Sequence, residues 1–504
     1  MTISANDAQR AARNVGALVV ASILSKGILF GWQIVLGTWL TTIDYGIYNT
    51  VFALFALGAP IASLSMGMIA IREIARKPEA IGQYAASMVF SQTVLSIVAY
   101  VIVVGASYIA YDSVNPAIVA FTAIAGISLI VDIFGNIAHD LLIAQERMII
   151  TSTMEILQII LRVGLAAYAL WAGWGLFGIY MATIAAGLIR SISLWTIHVL
   201  RGLRLKFPLQ WDVITLPLLM NASPLAFAAM LSLGYDHADK LMMTGFLGEI
   251  DTAILSPAFL IHFGVIELLS TTVLVAIFPL MSRMYGDGKG ESFGFVVEKL
   301  ARFMLMVALP IVLVLAVFAD DVILFIYPDR FLPTIGILRI YVWYTLFTMV
   351  GNVFSKALII QNRQTYTLWV RGASLTLNII LNAYLLWRFR DPRGAAVASV
   401  GAEILAFALM TTAFRARGFN WARIIPSFMR VLLLGAVMTG VMIAGEQIHV
   451  IVGMIAGATV YLAGLLFAGV LSADDWDLLY RLTAAMPGGA FIRRYRKRDI
   501  DISW

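Results

Sequence analysis

"LLIAQERMIITSTMEILQIILRVGLAAYALWAGWGLFGIYMA", residues 141–182, has a counterpart 216 positions on, "ALIIQNRQTYTLWVRGASLTLNIILNAYLLWRFRDPRGAAVA", residues 357–398. The shift superposes Gln145 on Gln361, Arg147 on Arg363, Leu165 on Leu381 and Gly178 on Gly394. A second shift, of 207, lays "TWLTTIDYGIYNTVF" (38–52) on "GFLGEIDTAILSPAF" (245–259). There Leu40, Ile43, Asp44, Ile47 and Phe52 meet Leu247, Ile250, Asp251, Ile254 and Phe259. Together the shifts predict two copies of six spans each, with two further spans appended. Six spans per copy preserve orientation, so the halves are parallel and related by an axis along the membrane normal.

The spans themselves follow from composition. Of 504 residues, 61% are hydrophobic and 13% charged, against roughly 25% charged in soluble domains. That leaves too little polar surface to cover a water-exposed exterior, so the chain is expected to be an all-α, polytopic membrane protein. It has no cysteine, which excludes disulfides and thiolate chemistry, and its five histidines show no ligand spacing, so no metal site is expected. The net charge of +6 is explained by its placement at span ends, not by nucleic acid. The polar start, "MTISANDAQRAARNVG", precedes an apolar run too long for a signal peptide, so the first helix is expected to remain as a span.

Segments of about 20 apolar residues place fourteen spans, centred near residues 27, 58, 98, 130, 161, 187, 228, 267, 312, 347, 377, 405, 434 and 460. Pro217 and Pro224 interrupt the one near 228. The expected organisation is an N-terminal lobe over 1–206, a C-terminal lobe over 207–420, appended spans over 421–471, and a tail over 472–504. Arg10, Arg13, Arg72, Arg76, Arg147, Arg201, Arg204, Arg283, Lys289, Arg363 and Arg415 fall on alternate loops. By the positive-inside rule both termini then face the cytoplasm of a cell (plasma or inner) membrane. Arg388, Arg390 and Arg393 disagree, lying on the expected outer side. In the tail, "SADDWDLLYRLTAAM" reads as an interfacial helix and "RRYRKR" (493–498) as a cluster attracted to anionic lipid.

"LGTWLTTIDYGIYNTVFAL" followed by "LSMGMIAIREIAR" resembles the start of polysaccharide-type flippases of the multidrug/oligosaccharidyl-lipid/polysaccharide exporter superfamily. In that family the first span ends in a turn with Gly-Ile-Tyr, here Gly46, Ile47 and Tyr48, and the second in a Gly followed by Arg-Glu, here Gly67, Arg72 and Glu73. "DKLMMTGFLG" from Asp239 and "LLIAQERM" from Leu141 look like further pieces of its pattern. The resemblance is clear over 15–280 and extends to about 420. It implies two six-helix lobes and export of a polyprenyl-diphosphate-linked oligosaccharide, with glycosyltransferases and a polymerase as neighbours in the pathway. Lipid II flippases of the superfamily carry cavity cations on the first, second and eighth spans. Here only Lys26 fits, since span 2 has no cation before Arg72 and span 8 carries Glu267.

Ionisable groups at mid-bilayer are costly and face the bundle interior. Lys26 lies about 16 Å along the first span by helical rise, and Ser22 and Gln33 share its face. That stripe is a candidate lining for a wet cavity, with Lys26 against a diphosphate or paired with Asp132 or Glu267. Glu155, Gln158 and Arg162 share a face of span 5, either as a lock between helices or, for Arg162, as a substrate contact. Arg72 is a candidate for headgroups or incoming diphosphate at the rim. Glu267, with Ser270 and Thr271 beside it, is the first candidate for proton or cation coupling, with Asp132 a weaker one; Asp239 and Lys240 cluster with Asp236 toward the outer end of span 7, as an outer gate or an interfacial salt-bridge group. His139, Asp140, Lys356 and Glu403 are weaker candidates.

"GDGKGES" (286–292) lacks P-loop spacing, so the chain is not expected to hydrolyse ATP and needs no bound cofactor. Coupling to H+, Na+ or membrane potential would then reset an alternating-access cycle. Two other functions compete: a drug/cation exporter of the same superfamily, and a membrane glycan ligase or glycosyltransferase using Asp320 and Asp321 in "FADDVILFIYPDRF" (318–331). The second is disfavoured because the outer loops are short, so the chain is expected not to be an enzyme.

Overall fold

The computed structural model describes residues 24–288 and 290–467. Regular structure among them is entirely helical. Twelve of the described helices are long and apolar enough to cross a membrane, and all fourteen expected centres fall in helix. Of the two centres outside those twelve, the one near 27 sits in α1 (24–39), the first helix of the described residues. The other sits in α14 (Gln364–Phe389), which carries Arg371, Asn378, Asn382 and Arg388 and is correspondingly polar. Ser22, Arg10, Arg13, Lys289 and the tail from 468, with its interfacial helix and basic cluster, lie outside the described residues.

The chain forms two compact units. One contains the described residues up to Gly264 together with Ile323–Tyr341 and Leu368–Ala406. Its helices begin with α2 (Thr42–Ser63), α3 (Met66–Arg76), α4 (Ile81–Tyr111), α5 (Pro116–Ala144), α6 (Met148–Trp171) and α7 (Gly175–Leu200). They continue with α8 (Leu216–Leu247) and α9 (Glu249–Val265). Here α2 packs on α4, α5 and α8, and α5 on α4 and α7. Val94, Ile97, Val98, Val101 and Ile102 form an exposed apolar face on α4, the surface a lipid-facing span presents. Pro217 sits in the first turn of α8 and Pro224 within it, and the helix runs through both.

The second unit contains Val265–Val322, Val342–Thr367 and the described residues from Phe407 onward. It begins with a π-helical turn (Ile266–Thr271) and α10 (Thr272–Gly286), which continue α9 as one span. It also holds α11 (Gly290–Val317), α16 (Trp421–Glu446) and α17 (Val450–Phe467). The short α12 (Ala319–Ile326) and the long α13 (Thr334–Ile360) each run through both parts of the chain, as does α14. The last long helix of the first unit is α15 (Arg393–Ala413), which ends in the second. The appended pair, α16 and α17, meets closely: a Cβ on Gly445 would stand 2.7 Å from the Gly453 Cα. Small residues permit such backbone approach in membranes.

The sequence repeat recurs in backbone detail. Helices α2 and α9 begin at Thr42 and Glu249, 207 apart, and α6 and α14 at Met148 and Gln364, 216 apart. Glu146 and Asn362 hold the same left-handed conformation, φ 59° in each. The next amide closes the turn identically, Arg147 N to Leu142 O at 2.9 Å and Arg363 N to Leu358 O at 2.9 Å. This six-to-one bond is a Schellman cap built without glycine.

One sequence expectation is corrected. Gly46, Ile47 and Tyr48 do not form the turn that ends the first span; they lie in the opening turns of α2. The turn is at Leu40 and Thr41, where the Thr41 hydroxyl caps α2 by accepting from Asp44 N at 3.1 Å. Glycine is needed at 46 for another reason: the Glu249 carbonyl occupies the place of its missing Cβ.

Candidate functional site

The first unit contains a cavity of about 360 Å³ between α2, α5, α6, α7 and α8. A break in one span opens its wall. Pro60 cannot donate a backbone hydrogen bond, and four and five residues later Leu64 and Ser65 are both left-handed, φ 45° and 55°. Such a conformation costs a non-glycine residue roughly 1–2 kcal/mol, and here it swings the chain from α2 into α3. The freed groups are rescued locally: Leu64 N donates to Pro60 O at 2.9 Å, Ser65 N to Ser63 Oγ at 3.3 Å, and Gln92 Nε2 on α4 to Ser63 O at 3.0 Å. Ser63 and Ser65 thus face the cavity at the break.

The opposite wall is fixed by a ladder between α5 and α7. Ser191 Oγ donates to Val131 O (3.1 Å), Trp195 Nε1 to Phe134 O (2.9 Å), and His198 Nε2 pairs with Ala138 O (2.9 Å). Spacings of four and three residues put the three side chains on one face of α7, and each uses the second lone pair of a helical carbonyl. This registry aims the neighbouring Arg190 across α5, where its Nη1 donates to Asn136 Oδ1 at 2.9 Å. Arg190, Asn136, Asp132 and Gln158 are the polar side chains of this wall. Two glycines make room for the charges: a Cβ on Gly187 would meet Asp132 Oδ1 at 2.5 Å, and one on Gly135 would meet Arg190 Nη1 at 3.2 Å.

A second polar centre lies in the same unit. Asp239, 3% exposed, accepts hydrogen bonds from Tyr341 Oη (2.5 Å), Asn378 Nδ2 (3.0 Å), Asn382 Nδ2 (2.8 Å) and Ser399 Oγ. The adjacent Lys240, also buried, points elsewhere: it donates to Asn49 Oδ1 at 3.1 Å and sits 4.4 Å over the Phe259 ring. Beside Asn49, the hydroxyls of Thr50, Thr244 and Thr252 form a buried chain at 2.6 and 2.7 Å. His262 and Tyr341 meet as tilted rings, their centres 4.3 Å apart. One turn away Glu403, 2% exposed, accepts from Tyr235 (2.8 Å) and Arg371 (3.2 Å). Buried charges in lipid are tolerated when compensated in this way.

The other candidates are dispersed. Lys26 is exposed on α1 and Gln33 half-buried on it. Arg72 is exposed and paired with Glu73 at 2.8 Å. Arg162 is half-buried on α6. Among the described residues, none of these four lines the cavity. Glu267 belongs to the second unit, in the π-helical turn, and accepts from Thr271 Oγ1 at 3.3 Å. His139 and Asp140 meet each other at 3.3 Å.

Sequence reasoning omitted Arg190, although it lies three residues from an expected span centre and carries the same signal as Lys26. It also omitted Tyr341, Asn378, Asn382 and Ser399. Neutral polar residues are ordinary in membrane helices, and only the fold gathers these four around one carboxylate.

Residues 35–336 match the family described as "Polysaccharide biosynthesis protein". No curated protein matches the sequence. Among solved structures the fold is similar to that of the lipid II flippase MurJ in an inward closed conformation, with TM-score 0.73 and 14% identity over 90% of this chain and 98% of that one. It is also similar to an inward-facing multidrug resistance MATE family transporter of the MOP superfamily, with TM-score 0.59 and 17% identity over 81% and 95%. A MOP superfamily transporter from Pyrococcus furiosus Vc1 gives TM-score 0.57 and 14% identity over 79% and 94%.

Proposed function

Because this chain belongs to the polysaccharide biosynthesis protein family, we propose that it is a flippase that moves a polyprenyl-diphosphate-linked oligosaccharide from the inner to the outer leaflet of a cell membrane. The family match over residues 35–336 carries the reading. It is supported by the superfamily fold, twelve apolar helices and a polar cavity within one of the units.

In this cycle the lobes over 1–206 and 207–420 alternate in access, with both termini in the cytoplasm. Lys26 meets the diphosphate as a point charge, while the prenyl tail stays in lipid. Asp239 is the group assigned to coupling with H+ or Na+. It is buried and held by four side-chain donors from α13, α14 and α15. One charge crossing 100 mV corresponds to about 2.3 kcal/mol, enough to bias a reset. A lipophilic cation as cargo is disfavoured, because the cavity presents Arg190 next to Asp132. Polymerase and glycosyltransferases would act on the cargo before and after transfer.

The test is reconstitution into vesicles with a fluorescent polyprenyl-diphosphate oligosaccharide, reading its protection from an external quencher. Wild-type protein equilibrates the lipid across the bilayer and Lys26→Ala does not. Absence of transfer by the wild type, with drug efflux on expression, would point to the exporter instead.

A further inference from the structure

We propose that the cavity walled by Asp132, Asn136, Gln158 and Arg190 is a saccharide-recognition subsite, with Asp132 and Arg190 as its specificity-determining residues. The inference rests on the flippase reading and assigns the sugar end of the cargo a place distinct from Lys26.

The first observation is unused bonding capacity. Asp132 Oδ1 and Arg190 Nε are both buried without a hydrogen-bond partner among the described residues. One is an acceptor and the other a donor, in the same wall. A hydroxyl group donates and accepts at once, so the hydroxyls of a sugar ring suit a wall that sets the Asp132 carboxylate beside the Arg190 guanidinium and the amides of Asn136 and Gln158.

The second observation is charge balance. One carboxylate and one guanidinium, with two amides and the hydroxyls of Ser63 and Ser65, make a wall that is polar yet close to neutral. A dense phosphate would meet Asp132, and a lipophilic cation would meet Arg190. A neutral polyol meets neither penalty. Phe55 and Leu233 complete the lining with apolar surface, against which the C–H face of a sugar ring can lie.

The third is construction. Gly135 and Gly187 leave room for the two charged side chains, and the α5–α7 ladder holds their helices in register. At about 360 Å³ the space lies at the lower end of small-molecule pockets, roughly 300–1,000 Å³, and suits one or two sugar rings better than a whole repeat unit. Ser65, left-handed and in the lining, is the kind of backbone strain that persists at binding sites.

The experiment uses purified full-length protein in detergent and saturation-transfer NMR with the methyl glycosides of glucose, galactose, mannose and N-acetylglucosamine. Binding of bare polyprenyl diphosphate is measured alongside. At least one glycoside is expected to bind the wild type, and to bind at least fivefold more weakly to Asp132→Asn and Arg190→Met. Gln158→Leu, which alters only a half-buried amide, is expected to weaken it at least twofold and decides the matter if the charge variants do not fold. If no glycoside binds, or if the folded variants bind as the wild type does, the subsite is overturned; binding of the bare lipid in that case leaves the flippase reading standing. If a glycoside binds and the bare lipid does not, the subsite stands and the lipid-linked cargo falls.

Discussion

Tyr341 Oη donates a 2.5 Å hydrogen bond to Asp239, joining α13 to α8 at a buried carboxylate that three further side chains also serve. Four donors converging on one acceptor make the carboxylate the keystone of this polar centre. Removing it takes the main acceptor from all four, leaving Tyr341 and Asn378 to Ser399 Oγ at 3.3 and 3.1 Å and Asn382 to Asn378 Oδ1 at 3.1 Å.

Asp239→Leu therefore destabilises strongly. Each buried donor left without an acceptor costs about 1–3 kcal/mol, so the purified variant should melt well below the wild type or fail to accumulate. Asp239→Asn keeps the shape and removes the charge. It should fold, and vesicle transport should lose its response to an imposed proton or sodium gradient. Gradient-dependent transport by Asp239→Asn would remove Asp239 from the coupling step.

Gly46→Ala tests the contact between α2 and the start of α9. The Glu249 carbonyl stands where the new methyl group would be, and overpacking of this kind costs roughly 1–3 kcal/mol. A lower melting temperature is expected, whereas Gly105→Ala, with nothing within 4 Å of the added Cβ, should leave it nearly unchanged.

Arg330 is the clamp on the end of α1. Its Nη2 donates to the carbonyls of Gly37 (2.8 Å), Thr38 (3.0 Å) and Leu40 (2.7 Å), which have no amide partner at a helix terminus. Arg330→Met should fray this end by about 1–2 kcal/mol. The measurement is hydrogen exchange over residues 30–40, expected to be faster in the variant than in the wild type with exchange in α5 unaltered.

Asp391 gives a pH signature. The hydrogen bond from Arg393, with Nη2 at 2.6 Å and Nε at 2.9 Å, holds its carboxyl below the usual carboxylate range. A depressed folded value means the pair stabilises above the unfolded pKa, about 3.9, and that this contribution is lost as pH falls through the folded value. Asp391→Asn should thus lower the melting temperature slightly at pH 7, since the pair is largely exposed. The difference should close on titration toward pH 3.

Legibility differed by the kind of signal. Helical spans are readable because apolar length is a direct requirement of the bilayer, and the repeat because Gln145 and Arg147 recur as Gln361 and Arg363. The three arginines that broke the charge rule were opaque. In the structure Arg390 donates to Phe246 O at 2.6 Å, Arg393 holds Asp391, and Arg388 lies over the Phe389 ring. Their charge is spent on local contacts, which a count over loops does not see. Asp132 stands out as a lone acid in an apolar run, and Asp239 as part of a charged cluster with Asp236 and Lys240. What each acid touches depended on helix packing, so Arg190 and the ring of neutral donors stayed hidden.

Gly135 and Gly187 carry a lesson for anyone retuning this protein. A mutational scan that visits only charged positions would pass over them, yet a methyl group at Gly187 would press on the Asp132 carboxylate at 2.5 Å, and one at Gly135 on Ser191 Oγ at 2.8 Å and Arg190 Nη1 at 3.2 Å. Relatives with altered cargo choice are therefore worth comparing first at these two silent positions.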